Sequence, residues 1–115
     1  MKDPHEESRE RLQHIEKAII SIEKYVAGET ITSFCKKNML HDAVLLQFVI
    51  IGEAIINVEN EILDKYDYPW YKVRSFRNMI AHEYFNVKLP AVWQIIEINL
   101  PELKKVILQI LRKEF

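Results

Sequence analysis

The stretch VLLQFVIIGEAII, residues 44 to 56, decides the fold class of this 115-residue chain. It is apolar on almost every side of an α-helix, whereas a helix on a protein surface needs only one apolar stripe. We therefore expect it to be covered on two sides, either as the centre of a helical bundle or because it also faces a second subunit. Gly52 costs a helix about 1 kcal/mol relative to alanine, which suggests that a neighbouring backbone approaches closely there. Glu53 is either a polar group at a functional site or the partner of a buried cation.

Helical periodicity continues on both sides of this stretch. Apolar residues three and four positions apart predict a helix before it and two after it, with one more short helix in the 30s. The expected starts and ends lie, in chain order, at Gly28, Thr30, Asn38, residue 62, Pro69 and Pro90. Pro101 predicts a kink in the last helix, because it removes a backbone hydrogen bond. Only two glycines and four prolines break the chain, so we predict one all-α domain over residues 1–115, an antiparallel bundle of about five helices with a flexible tail at 1–8.

Charge and cysteine content narrow the class of protein. The net charge of −1 excludes general electrostatic attraction to nucleic acid, although Lys72, Arg74, Arg77 and Lys88 oppose only Glu83 between residues 72 and 88. That run is either a local phosphate-binding patch or a solvated face. The single cysteine, Cys35, is expected to lie in a loop as an incidental thiol. One cysteine without a disulfide partner in the chain suits the reducing cytoplasm.

No signal for export or membrane insertion is expected from the sequence. The N-terminal segment MKDPHEESRE is charged and does not resemble a signal peptide. The apolar run at 44–56 is interrupted by Gln47, Gly52 and Glu53, which makes it too short and too polar for a membrane span. We therefore predict a cytoplasmic protein with no membrane partner.

The segment RNMIAHEYF, residues 77 to 85, carries the candidate chemistry. It places a guanidinium (Arg77), an imidazole (His82) and a phenol (Tyr84) within eight positions. On an ideal helix His82 points about 140° away from Arg77. The three groups converge only if the helix ends or distorts near Ala81, or if another subunit supplies part of the site.

An arginine with a histidine, and no metal, suits cleavage of RNA through its own 2′-hydroxyl. The zinc-protease pattern H-E-x-x-H fails because Asn86 stands where the second histidine would be. An imidazole transfers protons near neutral pH, and a guanidinium stabilises charge on phosphate oxygens. The structural alternative is that Arg77 forms a salt bridge, His82 caps a helix end and Tyr84 packs its ring.

The pattern R-x4-H-x-Y, present as Arg77, His82 and Tyr84, resembles the signature of the HepT-like ribonuclease toxins of the HEPN superfamily. The similarity extends over about residues 9 to 112. It includes LQHIEKAIISIEKYVAG in the first helix, IGEA at 51 to 54, PWYKVRSFRN before the motif and VWQIIEINLPEL in the last helix.

The resemblance implies a HEPN-like helical bundle that forms a homodimer, with the two motifs meeting near the dimer cleft. It implies a metal-independent endoribonuclease without a cofactor, the toxin of a type VII-like HepT/MntA toxin–antitoxin system. Arg77 and His82 would be the catalytic pair, supported by Asn78 and Tyr84. A partner antitoxin, an MNT-type nucleotidyltransferase, would neutralise the enzyme by transferring AMP to Tyr84. The alternative is a non-catalytic helical subunit that binds such a nucleotidyltransferase.

Overall fold

The computed structural model describes residues 3–115. Over this range the chain forms only helices, which confirms the all-α prediction. Six α-helices and one 3-10 turn follow in order: α1 Pro4–Val26, α2 Ile31–Lys36, α3 Asn38–Ile56, α4 Asn60–Leu63, α5 Trp70–His82, the 3-10 turn Tyr84–Asn86 and α6 Leu89–Glu114. The prediction of about five helices misses α4, a single turn too short to show periodicity.

The helix α3 lies at the centre of the packing, as its apolar stretch predicts. It packs against α1 on one side and α5 on the other, while α6 packs against α1 and α2. The core between these helices is almost wholly aliphatic, with Phe34, Ile15, Ile19, Ile51, Ile55 and Ile107 among its fully buried side chains. One face of α3 stays uncovered and exposes Met39, Leu46 and Ile50 to solvent.

One local and one long-range contact accompany corrections to the predicted ends of helices. The third helix ends at Ile56 rather than near residue 62, where the side-chain amide of Asn57 donates to the Glu53 carbonyl (3.0 Å). The chain then turns towards α1, whose Ser8 hydroxyl accepts from the Glu59 backbone N–H (3.0 Å). Ser8 is fully buried, and α1 already begins at Pro4. The flexible tail predicted for 1–8 is therefore wrong from Pro4 onward, and residues 1 and 2 lie outside the described range.

Of the other predictions about helix ends and loops, some are confirmed and some are wrong. Thr30 caps α2 through a reciprocal pair of bonds with Ser33, and Gly28 follows α1 with a φ of 77°, so both signals are confirmed. Asn38 is the first residue of α3 and not its cap. Cys35 lies in α2, partly buried, and not in a loop. Pro101 lies inside α6, and the kink there stays a prediction.

By length and composition alone, α3 could cross a membrane, since it runs for 19 residues from Asn38 to Ile56. The prediction that the segment is too short for a membrane span considered only the apolar run at 44–56, which is shorter than the whole helix. A mostly buried core helix of a soluble protein passes the same test; α3 packs against α1 and α5, with 39% of its apolar window buried.

Candidate functional site

The candidate site is organised by the crossing of α3 and α5. At the crossing, a Cβ atom built on Gly52 would lie 2.2 Å from Cβ and 2.6 Å from Cγ of Arg77. A close approach at Gly52 is confirmed, but the predicted neighbour, a backbone, is wrong: the close atoms belong to the side-chain stem of Arg77, and the nearest backbone atom, the Val73 carbonyl oxygen, would be 3.5 Å away. Glycine therefore lets the two helices meet where Arg77 leaves α5.

The head group of Arg77 is held from two sides. Its Nη2 donates to the Glu53 carboxylate, and its Nη1 donates to Oδ1 of Asn78 at 2.8 Å. Glu53 is therefore the partner of a cation, one of the two roles left open by the sequence. Only 24% of the Arg77 side chain is exposed, and its Nε is buried without a partner among residues 3–115. The guanidinium is thus fixed in direction, with one N–H on each Nη still free.

Tyr84 is anchored at a second point on α3. Its hydroxyl donates to the Asp42 carboxylate, and this hydrogen bond, together with burial and the negative charge of Asp42, raises the pKa of the phenol. The same carboxylate lies 3.6 Å from Nε2 of His41, whose Nδ1 is 3.1 Å from the carbonyl oxygen of Phe34 at the end of α2. Asp42 was not predicted to belong to the site, because no sequence motif surrounds it.

Asp42 and Glu53 lie on the same face of α3. They are eleven residues apart, which on an α-helix corresponds to about 16 Å along the axis and a rotation of only about 20°. The Arg77 guanidinium and the Tyr84 hydroxyl are therefore anchored at opposite ends of one helix face and do not meet within one chain. Leu46 and Ile50 occupy the exposed surface between them.

His82 is the last residue of α5 and is exposed. Because α5 continues through Ala81 without a break, the angle of about 140° between Arg77 and His82 expected for an ideal helix applies. The helix therefore does not end early enough to bring the two side chains together. Of the two routes to convergence considered from the sequence, the helix end near Ala81 is present, at His82, but it comes too late to turn His82 towards Arg77.

Three of the four cations in the run at 72–88 have separate surroundings. Arg77 pairs with Glu53, and Arg74 donates to Oδ1 of Asn60 (3.4 Å) on α4. Lys72 instead lines a cavity of about 350 Å³ among α3, α5 and α6, which Glu102 and Asn99 also line. None of Arg77, His82 and Tyr84 lines this cavity. Within residues 3–115, no group of three or more His, Cys, Asp and Glu side chains is arranged to hold a metal ion.

Asp42→Asn is expected to lower the pKa of Tyr84 towards the ordinary value of tyrosine. The phenolate forms more easily when the facing carboxylate loses its charge, while the amide oxygen can still accept the hydroxyl hydrogen bond. The measurement is an absorbance titration of the phenolate, with Tyr84→Phe subtracted to isolate one of the five tyrosines. An identical Tyr84 titration in Asp42→Asn would mean that the two side chains are not in contact in solution.

Comparison with known proteins defines the class to which this helical chain belongs. The model of the family described as "Ribonuclease HepT-like" matches residues 15–110, a range that includes the whole Arg77–Tyr84 motif and both of its anchors on α3. The chain therefore belongs to the ribonuclease HepT-like family.

Several curated proteins are similar over most of the chain. One is the candidate RNase TTE0752 of Caldanaerobacter subterraneus, 34% identical over 107 residues, which are 92% of this chain and 96% of that protein. Another is the "Probable ribonuclease HepT" of Thermococcus cleftensis, 29% identical over 84% of this chain and 88% of that protein. A gamma-glutamylcyclotransferase and candidate RNase of Methanocaldococcus jannaschii, MJ0434, is 36% identical over 103 residues; the match covers 89% of this chain and only 46% of that longer protein. No match to a solved structure was found.

Proposed function

We propose that this protein is a metal-independent endoribonuclease and the toxin component of a type VII-like HepT/MntA toxin–antitoxin system. The observation that supports this most directly is the fixed guanidinium of Arg77, held by Glu53 and Asn78 with free N–H groups, in a chain whose relatives are named as RNases. A fixed guanidinium is suited to stabilising negative charge that develops on phosphate oxygens.

In the proposed reaction the 2′-oxygen of the RNA attacks the adjacent phosphorus, and the bond from phosphorus to the 5′-oxygen breaks. His82 carries out one of the two proton transfers, from the 2′-hydroxyl or to the leaving 5′-oxygen, and a water molecule carries out the other. Arg77 stabilises the additional negative charge of the phosphorane through its two free N–H groups. The products are a 2′,3′-cyclic phosphate and a 5′-hydroxyl. DNA is not cut because it has no 2′-hydroxyl.

A homodimer would bring the separated groups together. The anchors Asp42 and Glu53 are equally far from a point near residues 47 and 48 on α3, and the exposed Leu46 and Ile50 flank that point. A twofold axis there would make the interface self-complementary and place Arg77 beside the partner's Tyr84. Each site would then take its arginine from one protomer and its tyrosine from the other. This is the arrangement, considered from the sequence, in which another subunit supplies part of the site.

Neutralisation by the nucleotidyltransferase antitoxin is proposed to occur at Tyr84. Its phenol oxygen attacks the α-phosphorus of ATP, pyrophosphate leaves, and the Asp42 carboxylate is placed to accept the phenol proton. The AMP adds a bulky anion at the position where RNA phosphate must bind. The surface turn Tyr84–Asn86 leaves 40% of Tyr84 exposed, so the transferase can reach it.

The test of the proposed function is RNA cleavage by the purified protein in EDTA, wild type beside His82→Ala, with analysis of the product ends. We expect cleavage by the wild type only, with 2′,3′-cyclic phosphate or its opened form at the new ends. Undiminished cleavage by His82→Ala would remove His82 from the mechanism. Mass spectrometry beforehand establishes that Tyr84 carries no AMP.

A second candidate function rests on the pairing of Arg77 with Glu53, which neutralises the motif cation in the single chain. A neutralised arginine fits a non-catalytic helical subunit that binds a nucleotidyltransferase. Co-purification with the transferase, together with no RNA cleavage by the unmodified wild type at any protein concentration, would favour this function over the nuclease.

Leu46→Glu is expected to convert the dimer into a monomer and to abolish RNA cleavage. The substitution places two carboxylates near the proposed twofold axis, where each would be buried without a partner. Sedimentation velocity measures the assembly, and a cleavage assay measures the activity of the same sample. Leu108→Glu on α6, also an exposed leucine, is the matched control and should stay dimeric and active. A dimeric, active Leu46→Glu protein would place the interface elsewhere.

A further inference from the structure

Phe85 is the most exposed of the large apolar side chains in residues 3–115, with 95% of its surface open to solvent. It lies in the 3-10 turn Tyr84–Asn86, three positions after His82. Burying a phenylalanine normally stabilises a fold by about 1.5–3 kcal/mol. Phe85 contributes almost none of this to the described fold, so the ring is available to a ligand.

The turn that presents this ring is held in place by several contacts. Backbone hydrogen bonds join the Asn86 N–H to the Glu83 carbonyl at 2.8 Å and the Val87 N–H to the Tyr84 carbonyl at 3.3 Å. Tyr84 is tied to Asp42 on α3. The rings of Tyr84 and Phe85 meet edge to face, with centroids 5.3 Å apart and planes at 87°. Phe85 is therefore an exposed ring on a supported turn.

We propose that Phe85 is the stacking platform for an unpaired nucleobase of the RNA, next to the nucleotide that is cut. The proposal rests on the endoribonuclease function and names its substrate class as single-stranded RNA. Attack of the 2′-oxygen requires it to align with the bond that breaks, an arrangement that a base stacked within an A-form helix hinders. An aromatic ring that takes the base out of the stack offers about 1–3 kcal/mol per base.

The surroundings of Phe85 favour a nucleobase over a second copy of this chain. The core of a protein–protein interface is a continuous apolar area with few charges, whereas Glu83, Asn86 and Lys88 beside Phe85 are all polar and exposed. An exposed aromatic ring among polar side chains, Lys88 among them, is typical of single-stranded nucleic acid sites. The exposed aliphatic residues Leu46 and Ile50 on α3 provide the more suitable surface for self-association.

The test measures binding of a short single-stranded RNA, made non-cleavable by 2′-O-methylation, by fluorescence anisotropy. Phe85→Ala is expected to weaken binding about 5- to 150-fold, the equivalent of 1–3 kcal/mol. Phe85→Trp should bind as well as the wild type or better, because it keeps a flat π face. Phe85→Leu keeps an apolar side chain without that face and should bind nearly as weakly as Phe85→Ala.

Each of the following outcomes would overturn the stacking role. Equal affinity of wild type and Phe85→Ala would show that the ring does not contact the base, and equal affinity of wild type and Phe85→Leu would show that an aromatic face is not required. A change from dimer to monomer in Phe85→Ala by sedimentation would mean that the ring packs on a second copy. If wild type cleaves RNA but Phe85→Ala cleaves with the same KM, the stacking role alone fails. If wild type neither binds nor cleaves RNA, the endoribonuclease function fails as well.

Discussion

Arg77→Lys is expected to lower kcat/KM for RNA cleavage about 100- to 1,000-fold, the loss seen when one donor to a developing oxyanion is removed. Arginine offers five N–H groups in a planar fork, so it can bind Glu53, Asn78 and the phosphate at once. Lysine has one ammonium group on a flexible chain and would remain at Glu53. The measurement is single-turnover cleavage of a labelled RNA by each variant.

The matched control is Arg74→Lys, one turn earlier on α5. Arg74 contacts Asn60 and not the Glu53 pair, so its replacement should change cleavage little. If Arg77→Lys cleaves as well as Arg74→Lys, Arg77 serves only as a member of a structural ion pair.

Glu53→Gln tests whether Glu53 positions Arg77 or restrains it, because the substitution keeps the shape of the side chain but frees the charge of Arg77. Tighter RNA binding by Glu53→Gln would show that Glu53 restrains the arginine.

Gly52→Ala is expected to destabilise the protein and to reduce cleavage together. Helix propensity alone predicts a gain of about 1 kcal/mol in the free energy of unfolding. The added methyl group would, however, lie 2.2 Å from Cβ of Arg77, and neither atom can move without its helix. The added methyl group would push α3 and α5 apart. We expect this overpacking to lower the free energy of unfolding by about 1–3 kcal/mol and to move Arg77 away from Glu53. Urea unfolding and cleavage assays measure the two effects.

Gly28→Ala provides the comparison that separates stability from activity. A Cβ on Gly28 meets no atom within 4 Å, but the φ of 77° is a left-handed conformation that costs a non-glycine residue about 1–2 kcal/mol. Both variants should therefore lose stability, and only Gly52→Ala should lose cleavage per folded molecule. An unfolding midpoint for Gly52→Ala above that of the wild type would mean that the helices cross less closely than the structure has them.

Much of the fold was predictable because its signals are local. The apolar stretch at 44–56 marks α3 as the central helix, since it is apolar on almost every side. Thr30 and Gly28 mark helix ends through their own hydroxyl group and backbone freedom. The close approach at Gly52 could also be inferred, because a glycine inside an apolar helix has a cost that close packing offsets. The motif Arg77–Tyr84 suggested a reaction class from its residue types alone.

The remaining features depend on contacts between distant parts of the chain. The end of α3 at Ile56 accompanies the contact of Glu59 with Ser8 on α1, 51 positions away, which no local pattern records. Glu53 is joined to a residue 24 positions later and Asp42 to one 42 positions later. Sequence left the role of Glu53 open and passed over Asp42, because a carboxylate on an exposed helix face looks the same whether or not another helix crosses it. Residue types and periodicity thus determined the helices, and similarity to known sequences determined the family. Only the crossing of α5 over α3 decided which acids hold the arginine and the tyrosine.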